Sequence, residues 1–254
     1  MLEPKSPAPG RSALGKPEAS DEQRALAWAH TARFLTTASQ LDQLPVTDLP
    51  EIAFVGRSNA GKSTAINRLA QQNRLAFASR TPGRTQHINL FEVGPRDKPN
   101  ALLADLPGYG YAAVERGAKL RWQQVMADYL ELRRSLTGIV LMVDSRLGFT
   151  ELDLQLLRFI SPRITNGVVR LLVLLTKADK LNRSQGAAAL RNGNVVLAEA
   201  ATGESDIGIS LFSALKRDGV GGAATVLHRW AGLSGRSATS KDQMASRSPH
   251  DSNL

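Results

Sequence analysis

The chain has 254 residues, no cysteine and a formal net charge of +9. The missing cysteines exclude disulfides and cysteine-based metal sites and agree with a reducing compartment, so we expect a cytoplasmic protein. No stretch reaches the about 18–20 apolar residues of a membrane span, and the first 20 residues lack the apolar segment of a signal peptide, so no membrane partner is expected.

Both ends of the chain have the composition of disordered segments. Residues 1–20 contain four prolines and almost no large apolar side chain, while residues from 235 onward are rich in Ser, Arg and Asp. Such segments bury too little apolar surface to fold. We therefore predict disordered tails over 1–20 and 235–254, and one folded domain over 21–234.

Strands and helices alternate between these tails. The predicted elements are helix 22–34, strand 51–55, helix 62–72, a basic loop of about 73–86, strands 87–93 and 101–106, helix 115–134, strand 137–144, helix 151–160, strand 170–175, a helix near 184–201, strand 207–212 and helix 219–232. Their alternation predicts an α/β fold, a mostly parallel sheet with helices on both faces. In helix 115–134 the positions 122, 125, 126, 129 and 130 are apolar and share one face, which predicts burial rather than a stacking surface.

The first motif, GRSNAGKS, occupies residues 56–63. It matches G-x-x-x-x-G-K-[ST], in which a glycine-rich turn wraps backbone N–H groups around phosphates. Lys62 is suited to reach the β- and γ-phosphates, and the Ser63 hydroxyl can bind Mg²⁺. A chance glycine turn before a helix is the alternative, but the buried-strand pattern before it and the helical pattern after it favour a phosphate loop.

The second motif, LLADLPGYG, occupies residues 102–110. An aspartate at the end of a buried strand, Asp105, can hold the Mg²⁺ shell, and a glycine three residues later, Gly108, can present its N–H to a γ-phosphate. The pattern D-x-x-G is common by itself. Its position after a buried strand and after the phosphate loop makes it informative.

The third motif, LLVLLTKAD at residues 171–179, identifies the base. A carboxylate at Asp179 can accept both the N1–H and the exocyclic amine of guanine, whereas adenine would leave it unpaired at about 1–3 kcal/mol. Lys177 has an aliphatic stem that can lie along the base. In ISLFSAL (209–215), the backbone N–H groups at Ser213 and Ala214 are candidate donors to the guanine carbonyl. The presence of Asp179 therefore argues against a third function, that of an ATP-dependent kinase or transport ATPase.

Taken together, the motifs resemble those of a known family. GRSNAGKS, TPGRTQ (81–86), DLPGYGYA (105–112), TKADK (176–180) and SALK (213–216) are similar to the TrmE–Era–EngA–EngB–septin GTPases, most closely to the EngB (YihA/YsxC) family, over roughly residues 28–232. The resemblance implies a P-loop GTPase that binds GTP or GDP with Mg²⁺. It also implies a role in assembly of the large ribosomal subunit, with a need for the protein in cell division and septation.

The resemblance also implies a set of site residues. The implied nucleotide site comprises Gly56, Arg57, Ser58, Asn59, Ala60, Gly61, Lys62, Ser63, Gly83, Arg84, Thr85, Gln86, His87, Asp105, Leu106, Pro107, Gly108, Thr176, Lys177, Ala178, Asp179, Phe212, Ser213 and Ala214. The implied Mg²⁺ ligands are Ser63, Thr85 and Asp105, and the implied catalytic groups are Asn59, Lys62, Thr85 and Gly108. Thr176 replaces an asparagine that is common in GTPases, so we expect a looser tie between the loops.

Two positions bear on the rate of hydrolysis. Many small GTPases orient the attacking water with a glutamine directly after D-x-x-G. Here that residue is Tyr109, which has no amide, so we expect slow intrinsic turnover. Asn59, at the fourth position of the phosphate loop, resembles a K⁺ ligand of related GTPases, where the ion does the electrostatic work of an arginine finger. The alternative is a turn residue suited to left-handed backbone.

Most of the positive charge lies outside the predicted tails, each of which has three basic and two acidic residues. This charge fits contact with an RNA backbone, although a solvated basic surface is the alternative. Two functions remain open: a monomeric GTPase whose GTP form docks on the large ribosomal subunit or its precursor (ribosomal RNA and proteins), and a protein-binding switch that acts directly in septation without RNA contact.

Overall fold

Helices and strands alternate along the residues that the computed structural model describes, which are 19–76, 87–110, 116–199 and 205–245, with the backbone alone at 116–123 and 233–245. The helices are Asp21–Ala29 (α1), Lys62–Leu69 (α2), Arg116–Leu132 (α3), Glu151–Thr165 (α4), Arg183–Ala198 (α5) and Val220–Ala245 (α6). The strands are Arg33–Ala38 (β1), Glu51–Gly56 (β2), Ile88–Val93 (β3), Ala101–Asp105 (β4), Leu136–Asp144 (β5), Arg170–Thr176 (β6) and Ile207–Leu211 (β7). Short 3₁₀ turns follow β1, at Leu41–Gln43, and β6, at Ala178–Lys180.

The strands form one sheet in the order β1-β3-β4-β2-β5-β6-β7. Strands β4, β2, β5, β6 and β7 pair in parallel, whereas β3 pairs antiparallel with both β1 and β4. The predicted mostly parallel sheet is confirmed. Because parallel strands share one direction, the carboxyl ends of five strands meet at a single edge.

Helices cover both faces of the sheet, as predicted. On one face, α1, α2 and α6 contribute Trp28, Ile66 and Trp230 to a continuous apolar core. On the other face, α3 and α4 contribute Tyr129 and Ile160 to a second core. The predicted buried face of α3 is confirmed at Tyr129 and Leu130, which are buried, and in part at Val125 and Met126, which are half-buried against the same core. The side chain of Trp122 lies outside the described ones. Within the described residues, no helix is both long and apolar enough to cross a membrane.

The structure differs from the predicted elements at both ends of the domain. The predicted helix 22–34 ends at Ala29, and residues 33–38 form the edge strand β1 because Phe34, Thr36 and Thr37 favour a strand paired with β3. At the other end, α6 continues to Ala245, past residue 235 where a disordered tail is predicted. Residues 236–245 lack Gly and Pro and include several helix formers, which accounts for the longer helix. Residues 1–18 and 246–254 of the predicted tails lie outside the described residues.

Candidate nucleotide site

The sequence motifs converge at the carboxyl edge of the sheet. Each of the five parallel strands ends there, at Gly56, Asp105, Asp144, Thr176 and Leu211. Ligands of open α/β sheets bind at this edge. The fold therefore brings together motifs that are far apart in sequence.

The phosphate loop runs from β2 into α2. Gly61 caps the helix at a φ of 100°, in the left-handed region. A Cβ at Gly61 would meet no atom within 4 Å, so the backbone conformation rather than crowding requires glycine. The amide N–H groups of the first turn of α2 have no intrahelical acceptor, and with the helix dipole they form a site for an anion.

Lys62 is buried at the first turn of α2. Its Nζ donates to the carbonyl oxygens of Gly56 and Arg57, at 3.0 and 3.3 Å. Burial lowers the pKa of the Lys62 ammonium, and the nearby Asp105 carboxylate opposes that shift. The loop carbonyls thus hold the ammonium at the place where a triphosphate would offer stronger acceptors.

Ser63 and Asp105 form a pair beside the loop. The Ser63 hydroxyl donates to Asp105 Oδ2 at 2.6 Å. Asp105 is fully buried, and its Oδ1 has no hydrogen-bond partner among the described residues. Burial raises the pKa of Asp105, while Lys62 and the Ser63 bond oppose that shift. A buried carboxylate with one unpaired oxygen beside a hydroxyl fits a hard divalent cation, although the described residues contain no cluster of three His, Cys, Asp or Glu side chains.

The backbone after Asp105 passes close to the phosphate loop. Leu106 and Pro107 are buried. A Cβ at Gly108 would lie 2.8 Å from Ser58 Cα and 2.9 Å from Lys62 Nζ. This close approach requires glycine at position 108 and places its backbone against the lysine that serves the phosphates.

The Tyr109 side chain reaches helix α4. Its hydroxyl donates to Asp153 Oδ1 of α4 at 2.6 Å, and the other Asp153 oxygen accepts from the backbone N–H and the hydroxyl of Thr150. Burial and the Asp153 charge raise the pKa of Tyr109. The sequence analysis missed Thr150 and Asp153, although Thr150 three residues before Asp153 is the pattern of a helix capping box.

The two loops predicted to hold the base lie against each other. Ser213 is fully buried, and its hydroxyl donates to Asp179 Oδ1 at 2.8 Å. This bond is the main cause that lowers the pKa of Asp179. The Ala178 N–H donates to the Phe212 carbonyl at 3.2 Å, which joins the loops. The Ser213 N–H donates to the Asp218 carbonyl, so it is already paired, and the Ala214 N–H is the better candidate for the guanine carbonyl.

Thr176 connects the base loop to the phosphate loop. Its hydroxyl lies 2.9 Å from the Ala60 carbonyl and 3.1 Å from the Val143 carbonyl. A threonine therefore makes a direct tie at the position where many GTPases carry asparagine. The side chain is buried, so this bond is shielded from water.

Lys177 is held by residues that the sequence analysis missed. Its Nζ lies 2.8 Å from Asp144 Oδ2, and the same carboxylate binds Arg146. The sequence could have indicated Asp144, because it is an aspartate at the end of a buried strand, the same pattern that led to Asp105. A cavity of about 310 Å³ opens beside these groups, between the phosphate loop and the segment that joins β5 to α4.

Part of the predicted site lies outside the described residues. Gly83, Arg84, Thr85 and Gln86 fall in residues 77–86, so the structure does not place them. His87, directly before β3, has its Nδ1 2.9 Å from Ser39 Oγ.

A glycine-rich loop that opens onto a helix, with a buried Ser–Asp pair and a separate carboxylate for the base, defines a P-loop GTPase. Comparison with known proteins agrees: the family described as "50S ribosome-binding GTPase" matches residues 51–177. A probable GTP-binding protein EngB from Acidovorax ebreus is 59% identical over 81% of this chain and 91% of its own length. Another from a Polaromonas species is 58% identical over 84% of this chain and 83% of its own length. The chain belongs to the EngB family of GTP-binding proteins, and it is a GTPase that binds guanine nucleotide.

Solved structures share the fold at lower identity. A probable GTP-binding protein EngB is 21% identical with a TM-score of 0.53, covering 71% of this chain and 98% of that chain. Era in complex with MgGDPNP and a segment of 16S ribosomal RNA is 20% identical with a TM-score of 0.57, covering 72% of this chain and 56% of that chain.

Proposed function

We propose that this GTPase is a cytoplasmic assembly factor for the large ribosomal subunit, and that normal cell division and septation depend on it. It docks as a monomer on that subunit or its precursor, through ribosomal RNA and proteins, when GTP is bound. The observation that carries this proposal is the match over residues 51–177 to a family described as ribosome-binding. The basic charge of the chain, +9, supports an RNA partner.

The proposed nucleotide switch uses Mg²⁺ held by Ser63, Asp105 and the predicted ligand Thr85. The Oδ1 of buried Asp105, which has no hydrogen-bond partner in the described part of the chain, supports this assignment. When bound, the ion would neutralise charge between the β- and γ-phosphates. Era, which shares the fold, was solved with MgGDPNP.

The residues of the chain then have distinct roles in the proposed site. Lys62 moves its ammonium from the loop carbonyls to the β- and γ-phosphates, because phosphate oxygens are charged acceptors. The Gly108 N–H donates to the γ-phosphate. At the other end, Asp179 accepts the two guanine donors, and Ser213 keeps that carboxylate ionised and oriented.

Hydrolysis in this site is expected to be slow without an activator. The side chain after Gly108 is Tyr109, whose hydroxyl is bonded to Asp153 in the protein interior. This side chain carries no amide that could orient an attacking water, and its hydroxyl already donates to Asp153. We propose that a bound partner or a K⁺ ion near Asn59 supplies the missing stabilisation of the transition state.

Exposed cations around the base loops support an RNA contact. Lys180, Arg183, Lys216 and Arg217 are all exposed. Lys180 ends the 3₁₀ turn after β6 and Arg183 begins α5, while Lys216 and Arg217 follow β7, and the Ala178–Phe212 hydrogen bond joins the two segments. Contact with phosphates displaces counterions, so binding should weaken steeply as salt rises. Charge alone would give the same affinity in both nucleotide states, so a switch also requires contacts that differ between the states.

Sedimentation with purified large-subunit particles tests the proposal. The protein is incubated with a non-hydrolysable GTP analogue or with GDP, over a series of KCl concentrations. We expect more co-sedimentation with the analogue at every salt concentration. The Lys62→Ala variant should lose the nucleotide dependence, and Lys98→Ala, which changes an exposed lysine on the β3–β4 turn, should keep it.

Two results would contradict the proposal. Salt-sensitive binding that ignores the nucleotide would reduce the interaction to nonspecific adhesion to RNA. Absence of co-sedimentation with either nucleotide would favour the alternative, a protein-binding switch that acts directly in septation.

A further inference from the structure

Lys177 adopts an unusual backbone conformation at the base loop. Its φ is 57°, in the left-handed region, where a residue other than glycine persists only if its surroundings hold it. The Lys177 carbonyl accepts from the Lys180 N–H at 2.9 Å, and the neighbouring Ala178 N–H donates to Phe212. The far end of the side chain is held as well, by Asp144 Oδ2 at 2.8 Å.

Asp144 is itself held by Arg146, through both backbone and side chain. Its Oδ1 accepts from the Arg146 backbone N–H at 3.1 Å and from Arg146 Nε at 2.9 Å, and its Oδ2 accepts from the Arg146 guanidinium at 2.7 Å. Only 11% of the Asp144 side chain is exposed. These contacts lower the pKa of Asp144, so the carboxylate stays ionised at neutral pH although burial opposes this.

We infer that Asp144 is a positioning residue for guanine recognition, because it holds the Lys177 ammonium so that the lysine stem is extended before the nucleotide arrives. The inference rests on the proposed assignment of Lys177 and Asp179 to the base. A free lysine side chain has many rotamers. Fixing it in a single rotamer when the ligand binds costs conformational entropy, and this cost reduces affinity. A lysine already held at both ends avoids that loss.

The sign of the effect separates this role from simple electrostatics. Asp144 places a negative charge near a site for a polyanion. If it acted only through that charge, its removal would strengthen nucleotide binding. A positioning role predicts the opposite, a weaker complex.

The test compares nucleotide affinities of full-length variants by calorimetry. For Asp144→Asn we expect GDP affinity to fall by about 5- to 10-fold, the change for one side chain ordered on binding. The loss should be equal for inosine diphosphate, which lacks the exocyclic amine, because the lysine stem contacts the ring face common to both bases. Substitution of Asp179 should instead change the ratio of the two affinities.

A double-mutant cycle identifies the route of the effect. In a Lys177→Ala background, Asp144→Asn should have almost no further effect on GDP affinity, because the side chain it positions is gone. A general structural role for Asp144 would give the same loss in both backgrounds. Asp144→Ser keeps an acceptor for the Arg146 N–H and serves as the second variant if Asp144→Asn is poorly folded.

Glu151→Gln is the matched control. It removes the same unit of charge from an ion pair with Arg158 on the exposed surface of α4, and it should leave GDP affinity unchanged. Unchanged or improved affinity in folded Asp144 variants, with Lys177→Ala still weakened, would overturn the positioning role alone. If Lys177→Ala itself binds GDP normally, the proposed base site is wrong and the inference fails with it.

Discussion

The phosphate end and the base end of the site hold their charged groups in opposite ways. Among the described residues at the phosphate end, one oxygen of buried Asp105 has no partner, and the acceptors of Lys62 are backbone carbonyls alone. Burial raises the pKa of Asp105 and lowers the pKa of Lys62, so it favours the neutral form of both groups. At the base end, hydrogen bonds lower the pKa of Asp144 and Asp179, so both are fixed as carboxylates.

This difference shows which end is complete before ligand arrives. The base end is preorganised: under the proposed assignment, guanine would only have to fit its donors to the Asp179 carboxylate, which Ser213 already orients. At the phosphate end, Asp105 and Lys62 are buried without enough hydrogen-bond partners to compensate the loss of water. Phosphate oxygens and a cation would supply the missing partners. Changes at the phosphate end should therefore cost binding with little cost in folding, whereas changes at the base end should alter selectivity.

The largest effect is expected from Lys62→Ala. Removing the ammonium takes away a buried charged donor, and GTP affinity should fall by about 10²–10³-fold, the scale for removing one partner of a buried, hydrogen-bonded charge pair in a complex. The melting temperature without nucleotide should stay near that of the wild type, because burial already disfavours the charged lysine. Fluorescent-nucleotide titration and thermal unfolding check both expectations, with Lys98→Ala as control. Marked destabilisation of the nucleotide-free variant would remove the contrast between the two ends.

Asp179→Asn tests the base end. An amide no longer accepts two donors from guanine, so GTP affinity should fall by roughly 10- to 100-fold, corresponding to one or two unmade buried hydrogen bonds. Xanthine nucleotides, whose edge offers the complementary pattern, should bind better than they do to the wild type. Competition titrations with guanine and xanthine nucleotides measure the change in relative affinity. Unchanged GTP affinity would remove Asp179 from the site.

Asp105→Asn tests whether a cation completes the phosphate end. Mg²⁺ should strengthen GDP binding to the wild type. In the variant, the increase in GDP affinity that Mg²⁺ causes should be about tenfold smaller, the scale of one charge-assisted contact. Folding should respond in the opposite direction. The folded-state pKa of Asp105 is raised above its usual 3.8, so its contribution to stability is present below that value and is lost as pH rises through the folded pKa. The nucleotide-free variant should therefore unfold at or above the wild-type temperature at neutral pH, and a clear decrease would contradict this account.

The sequence predicted the parts of the site that depend on local pattern. Glycine spacing predicted the phosphate loop, and polar residues at or shortly after the ends of buried strands predicted roles for Asp105 and Asp179. It missed contacts between distant segments: Tyr109 with Asp153, 44 positions apart, and Lys177 with Asp144, 33 positions apart. Strand β1 was missed for the same reason, because its pairing with β3 overrides a local pattern that continues a helix.

The smallest expected effect concerns Asn59 and the choice of monovalent ion. Asn59 is exposed and has a φ of 64°, which satisfies the interpretation as a turn residue but does not test the one as a K⁺ ligand. If its carbonyl oxygen helps to bind K⁺, GTP turnover should be several-fold faster in KCl than in NaCl at equal ionic strength, where screening is the same. Asn59→Ala should abolish the difference but also strains the left-handed backbone. Asn59→Gly removes the oxygen and keeps that conformation, so it separates the two explanations. Loss of the K⁺ advantage in Asn59→Gly, with normal folding, would assign the ligand role to the side chain. A retained advantage, or equal wild-type rates in both salts, would leave Asn59 as a turn residue only.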